Sequence, residues 1–441
     1  MDFFSNNPIV LGIFDVVIGI LQSIWQVFEY VWWIVIPLAL AFYWWDLRVI
    51  AVKKAYAKGI KWVTLELRIP KENLRTPKSM EQVFAALHTI YPGELSWKDI
   101  NLKGKSQPHI SFEIVGQNGG VYFYIRTPDE YRNLIESALF AQYPQAEIMQ
   151  VDDYAELMPA TLPNAAYDIW GTDLMLAKDD AYPIKTYEYF EEKEEEQRID
   201  PLSPLLETFS KLKGDEFVWI QYLARPTGDA THDYKKKGQA IVDKMLGREV
   251  KEVKELGVLG HLFHFFKNFT LAVHQPPVWP EAAKKAESTP KTIASLSFSE
   301  KEALEGIERK ISKLCFETGI RVIYIDKRET FAKSHIASIV GAFKQFGAEH
   351  LNAFKPNKET AIKAPKGFMA WLRPRWKAHQ EYLTKNALYG AYTGRSFKKG
   401  PVFSVEELAT LYHIPGSFVG APSMRRIEAK KGEPPENLPI E

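Results

Sequence analysis

The residues that could carry chemistry are few, and most lack the neighbours that chemistry needs. Gly104-Lys105-Ser106 has the form of the last residues of a phosphate-binding loop. That loop requires a glycine where this chain has Asp99, and a helix directly afterwards, whereas Gln107-Pro108 leads into a strand. Without a helix N-terminus there is no cradle of backbone N–H groups for a phosphate. His261 and His264 are three apart on a helical pattern and could both reach one metal ion. They stand among Phe and Leu with no third ligand of matching type nearby, so packed or interfacial histidines are the simpler reading. Cys315, beside Ile311, Leu314 and Phe316 on a helical stretch, reads as core rather than nucleophile. The carboxylates show no spacing suited to paired acid and base. The chain therefore reads as a non-enzyme, with no catalytic residue, metal ligand or cofactor site assigned.

One stretch does have a chemical character. Residues 355–399 carry eleven Lys or Arg against Glu359 and Glu381, a local +9 in a chain whose net charge is +1. Trp371, Trp376, Tyr382, Tyr389 and Tyr392 are interleaved with Arg373, Arg375, Lys377, Lys385, Arg395, Lys398 and Lys399. Cations for phosphates and rings for bases can hold single-stranded DNA. The same mixture can lie against anionic lipid, dock an acidic partner, or form a basic loop with structural aromatics. It comes with no nucleic-acid-reading motif.

These residues need elements to position them, and composition bounds what the elements can be. The 441 residues suggest about three domains. Hydrophobic content of 46% and charged content of 25% exclude wholesale disorder. The near-zero net charge provides no global field for nucleic acid. A single cysteine excludes a disulfide framework and a Cys-based zinc site.

The N-terminus reads as a membrane anchor over residues 1–50. Residues 9–47 contain no Lys or Arg, and residues 30–45, which include Trp32 and Trp33, contain no charge at all. Trp25 and the pair Trp44 and Trp45 are 19 to 20 residues apart, or about 29–30 Å of helix. That is the separation of two interfacial Trp belts. Pro37 is tolerated as a kink within such a span. Upstream, Asp15, Gln22, Gln26 and Glu29 share one stripe with Gly19. Either this part lies along the outer leaflet, or it continues a long tilted helix whose stripe meets a partner helix, which would make a homo-oligomer. Arg48, Lys53, Lys54, Lys58 and Lys61 follow the span and nothing basic precedes it, so the N-terminus is placed outside and the bulk of the chain in the cytoplasm.

Beyond the anchor the pattern is α+β. Alternation at Val63, Leu65, Leu67 and Ile69 predicts a strand, and Ser79-Met80-Glu81-Gln82 predicts a capping box opening a helix. Ile110, Phe112 and Ile114, a turn at Gln117-Asn118-Gly119-Gly120, and Val121, Phe123 and Ile125 predict a hairpin. Thr127-Pro128 caps a second helix, and residues 148–151 give a fourth strand, so residues 60–155 read as a ferredoxin-like βαββαβ unit. A second such unit over residues 165–350 is expected from a strand at 184–189, a helix at 203–212, strands at 217–223 and 320–326, and a helix from 333 to 346. A helical insertion at about 229–313 interrupts it. Within that insertion, residues 257–273 are apolar enough to suit either an inner-leaflet contact or a helix buried between domains.

The last segment, residues 401–441, carries a recognisable pattern. Phe403-Ser404-Val405-Glu406-Glu407-Leu408-Ala409-Thr410-Leu411-Tyr412-His413-Ile414-Pro415-Gly416 is a capped helix ended by Pro-Gly, followed by Ala421-Pro422 and an extended Pro-rich tail through Pro439. It resembles the segment that joins the N-terminal region to the motor in bacterial DNA-transfer ATPases of the type IV secretion and conjugation class, of the HerA/FtsK superfamily. The upstream order, from membrane segment through the helix at Ser79 to the αβ units, resembles those N-terminal regions too. The resemblance implies a non-catalytic, membrane-anchored assembly component in the bacterial cell membrane, with a P-loop DNA-translocating ATPase as partner. Ser404, Glu407, Leu408, Leu411, His413 and Pro415 would be its docking residues. The chain stops at Glu441 before any such motor, so the motor is expected in trans or the chain as a split or truncated form. The alternative is a membrane-surface scaffold without a nucleic-acid role.

Overall fold

The computed structural model describes residues 8–70, 75–93, 95–190, 199–228, 232–248, 293–357, 360, 362, 374–397, 399–416 and 426–427. In chain order the main elements begin with α1 (Pro8–Gly59), β1 (Trp62–Pro70), α2 (Pro77–Leu87), α3 (Trp97–Asn101), β2 (Ile110–Gln117) and β3 (Gly120–Pro128). Next come α4 (Arg132–Gln142), β4 (Glu147–Val151), β5 (Tyr167–Leu176), α5 (Ser203–Ser210), β6 (Phe217–Thr227) and α6 (Tyr234–Met245). The chain continues through α7 (Phe298–Ser312), β7 (Cys315–Lys327), α8 (Lys333–Lys344), β8 (Phe354–Pro356), α9 (Pro374–Thr393), β9 (Val402–Ser404), α10 (Val405–Leu411) and β10 (Arg426–Ile427). Two units result: Met1–Lys61 with Leu95–Gln107, and Trp62–Glu94 with Pro108–Glu441.

In the first unit α1 is one helix of 52 residues that runs through Pro37 without interruption, about 78 Å at 1.5 Å per residue. The sequence left two arrangements open; in the structure the polar stripe and the Trp-bracketed stretch lie on this one continuous helix.

The second unit is built on a mixed helix-and-strand pattern around a sheet that is antiparallel apart from the β1–β10 pair. Strands β1–β4 take the order 4-1-3-2, and β5–β8 repeat it as 8-5-7-6, each with the sequence strand, helix, strand, strand, helix, strand. The repeats meet edge to edge where β2 pairs with β6 from Ile110↔Ala224 to Gln117↔Phe217. In the first repeat β2 and β3 are joined by a tight turn at Asn118 and Gly119, both at positive φ (47° and 74°), the conformation favoured for a two-residue hairpin. In the second, the corresponding connection carries α6 and α7, which pack together through Val242, Leu304 and Ile307.

Successive residues of the central strands point to opposite cores, as the period of two requires. Ile114, Ile220 and Val322 join Phe84, Phe343 and Leu408 from α2, α8 and α10. Their neighbours Val115, Trp219 and Ile323 join Leu388, Tyr389 and Tyr392 of α9. Both faces are thus covered, which is why β6 and β7 read as nearly continuous apolar runs.

Several local expectations are corrected. Residues 184–189 form no strand but end in a 3-10 turn at Tyr187–Tyr189; the first strand of the second repeat is β5. Its Asp168, Gly171 and Asp173 mask the alternation, and Gly171 is needed because a Cβ there would lie 2.6 Å from the Val322 carbonyl oxygen. Ser79 is not a cap, since α2 starts at Pro77 after Thr76, with no side-chain capping bond. Thr127 likewise makes no cap, because a 3-10 turn at Asp129–Tyr131 precedes α4. Cys315 opens a strand rather than lying on a helix, and it is buried. Residues 257–273, with His261 and His264, lie outside the described residues.

Candidate membrane interface and buried charge network

Among the described residues of α1, most large apolar side chains from Trp25 to Leu47 are exposed. Trp25, Trp33 and Trp44 are 66%, 61% and 62% exposed, and Trp32, Ile34, Leu38, Leu40 and Phe42 are exposed with them. Residues Trp32–Gly59 are long and apolar enough to cross a membrane, by length and composition. In water such a contiguous apolar surface marks an interaction site. Trp45 is half-buried, with the guanidinium of Arg48 5.3 Å above its ring. Of the stripe, Gln22, Gln26 and Glu29 are exposed on α1, where the backbone also carries Asp15.

The second unit does the reverse and buries charge. Register aligns Tyr124, Glu113, Gln221, Arg321 and Asp173 as direct neighbours across β3, β2, β6, β7 and β5. The row lies under the C-terminal end of α9, where Arg395 closes it. Arg395 Nε and Nη2 donate to the two oxygens of Glu113 at 3.0 and 3.1 Å, and Nη2 also donates to Asp153 Oδ1 at 2.7 Å. Arg126 donates to Asp153 from the other side. Tyr154 O–H donates to Glu113 Oε2 at 2.7 Å, so Tyr392, 2.7 Å from the Tyr154 oxygen, donates to Tyr154. Arg321 donates to Asp173 at 2.8 Å and to the Ala391 carbonyl at 2.7 Å.

Each cation in this cluster has an anion, so the arrangement locks rather than reacts. Burial opposes the charge on Glu113, but the Arg395 guanidinium outweighs it and holds the carboxyl below its usual range. Asp153 is held down in the same way, its burial outweighed by the hydrogen bond and charge of Arg395. Burial, followed by the charge of Glu113, pushes the Tyr154 phenol well above its usual range. Arg395 itself sits at φ 45°, a left-handed position that disfavours a side chain. Its two carboxylate partners offset that strain.

A second buried knot holds α10. Ser404 and Glu407 form the expected capping box, and Glu407 also accepts the Ile184 N–H at 2.9 Å and pairs with the buried Lys310 at 3.0 Å. Glu81, on the buried face of α2, accepts from Tyr187 O–H at 2.6 Å and Lys313 at 2.8 Å. His413 places Nδ1 2.9 Å from the Ala409 carbonyl and Nε2 3.0 Å from Asp200. Both partners are acceptors, which tie the ring to its own helix and to Asp200. Beside α10 lies a cleft of about 40 Å³ lined by Thr186, Glu302, Arg309 and Glu406 among others, room for little more than water.

The expected sites therefore divide. Ser404, Glu407, Leu408, Leu411, His413 and Pro415 are all buried in the body's own core, which corrects the expectation that they present a docking surface. Arg395 is buried and doubly paired, and Lys385 pairs with Asp168 at 2.8 Å and Glu381 at 3.0 Å, so neither offers its charge to a polyanion. Tyr389 and Tyr392 are core residues. Arg375 and Trp376 are exposed at the start of α9 with Lys377 half-buried, and Lys399 is exposed. Trp371, Arg373 and Lys398 lie outside the described residues. Glu113, Asp153, Arg321 and Lys310 were not anticipated. Glu113 gave no signal, because between Phe112 and Ile114 it stands at the polar position of the alternation, which reads as solvent-facing.

A family model described as a domain of unknown function, DUF8128, matches residues 53–425, and the chain belongs to that family. The match starts near the end of α1 and takes in β1 to β9, ending just before β10. No curated protein matches the chain.

Proposed function

We propose that this protein is a membrane-anchored, non-catalytic assembly component of a DNA-transfer machine of the type IV secretion and conjugation class, working with a P-loop DNA-translocating ATPase. The observation that carries the anchor is the exposed apolar length of α1, bracketed by Trp25 and Trp44. The basic residues that follow it favour a single pass, with the N-terminus outside the bacterial cell membrane and the body in the cytoplasm. The two repeats of strand order 4-1-3-2 support a tandem of ferredoxin-like units as that body. The resemblance of residues 403–439 supports the motor as partner. With α10 buried, its role is to fix the end of the body rather than to touch the motor.

A second reading, a membrane-surface scaffold without a nucleic-acid role, is favoured by one observation: Lys385, Arg395, Tyr389 and Tyr392 are used up in the fold. Binding of the full chain to single-stranded DNA against salt separates the two. On the DNA reading, converting Arg373, Arg375 and Lys377 to Glu weakens binding and flattens the salt slope by about 0.7 for each phosphate that is no longer neutralised. Binding and slope left unchanged would remove the DNA role and leave the scaffold.

A further inference from the structure

Between α2 and β2 the chain leaves the sheet for residues Leu95–Gln107, which group with Met1–Lys61 and not with the strands on either side. Two features hold this excursion against the C-terminal half of α1. Trp97, the first residue of α3, stacks on Trp45 with ring centroids 6.0 Å apart and planes 7° from parallel. Gly104, at φ +68°, lies so close to the helix that a Cβ would stand 2.5 Å from the Val52 carbonyl oxygen. Both the backbone conformation and the close approach demand glycine there. This is the same Gly104-Lys105-Ser106 that has the form, but not the setting, of a phosphate-binding loop.

The surface so assembled combines two properties. Trp97 remains 60% exposed although stacked, and Leu102 and Trp44 are exposed as well. Around them, residues 46–61 and 95–107 hold eight Lys or Arg against Asp46 and Asp99 alone. Asp99 is already engaged by Lys103 at 3.0 Å and Lys105 at 3.8 Å. Lys53, Lys54, Lys58 and Lys98 make no ion pair among the described residues and are exposed. Arg48, above the Trp45 ring, likewise has no carboxylate partner among the described residues, and its Nη1 has no acceptor. Indole rings favour the boundary between lipid and water, and basic side chains beside it attract anionic headgroups.

We propose that the excursion is a second membrane contact, in which Trp97 and Leu102 enter the headgroup layer while Arg48, Lys98, Lys103 and Lys105 hold the phosphates of anionic phospholipids. This rests on α1 being the bilayer anchor, because the stack on Trp45 sets the depth of Trp97. The excursion would fix how far α1 sinks and how it is rotated, which a lone helix in lipid leaves to its flanking residues.

The test places a polarity-sensitive dye at Leu102→Cys in the full chain. Cys315 is buried, its thiol pushed up to about 12 by that burial, so labelling goes to residue 102. The protein is reconstituted in vesicles of phosphatidylcholine alone or with added phosphatidylglycerol. Dye emission shifts to the blue in the anionic vesicles and is quenched by headgroup-proximal brominated lipid. Adding Lys98→Gln, Lys103→Gln and Lys105→Gln removes most of that shift while the chain stays in the vesicles through a carbonate wash. A dye that reports water in both vesicle types, or a triple variant that keeps the full shift, overturns this second interface and leaves the anchor standing. Release of the chain by carbonate overturns the anchor and the second interface together.

Discussion

Helix α1 and the sheet body solve opposite solvent problems. Along α1 most of the large apolar side chains described are exposed, while the body buries Glu113, Arg395, Lys310 and Glu407. Each would be a fault in the other setting. Exposed indoles are stable where the surroundings are lipid, and buried charges are tolerated where every one is paired and hydrogen-bonded. Surroundings rather than composition decide whether an apolar surface or a buried charge is a flaw.

Inverting the outer surface of the helix should break that contrast most severely. Ile34→Lys with Leu38→Lys puts two charges on one face near the middle of the Trp-bracketed stretch, each costing about 2.5–3.5 kcal/mol on an insertion scale. Cell-free synthesis in the presence of vesicles should show insertion abolished, with the body still folded by its resistance to protease.

Arg395→Leu is the matching change in the body. It leaves Glu113 and, in part, Asp153 buried without their main partner, and loss of one member of such a set costs about 3–5 kcal/mol. Urea denaturation of the detergent-solubilised chain measures it. A loss under about 1 kcal/mol would mean that the network is incidental to the fold.

A smaller effect sharpens the comparison through pH. Burial, helped by the nearby Arg225 charge, pushes His109 from 6.5 down to about 4, so the folded protein keeps this ring neutral. The ring lies between Trp62 and Phe397. A base whose folded value is depressed contributes stability that is complete above about 6.5 and is lost as pH falls toward about 4. His109→Phe should flatten the thermal stability profile in that window and leave the span of α1 unaffected.

Much of the architecture was legible because it rests on local patterns. The run to Leu47 without Lys or Arg, uncharged over residues 30–45, foretold α1, and alternation foretold β1, β2, β3 and the Asn118-Gly119 turn. Strand β5 escaped because Asp173 faces Arg321 and Gly171 makes room for a backbone oxygen, so polar and small residues stand where the pattern wants apolar ones. The sites were harder to read for a related reason. An amphipathic capped helix such as α10 looks the same in sequence whether its apolar face meets another protein or its own sheet. A basic aromatic run such as residues 355–399 does not reveal that Arg395 will turn inward, since its carboxylate partners are Glu113 and Asp153, more than two hundred positions away. The Ser404 and Glu407 box held because the reciprocal bonds are local, whereas the one suggested at Ser79 failed because the helix had already begun at Pro77.

The measurement that bears most directly on the whole account is alkaline carbonate extraction of membranes carrying the unaltered chain, followed by protease treatment of right-side-out and inverted vesicles. An integral anchor keeps the chain in the pellet, with the body cleaved only in the inverted vesicles. Recovery of intact chain in the carbonate supernatant, or cleavage of the body from the outer side, would contradict it.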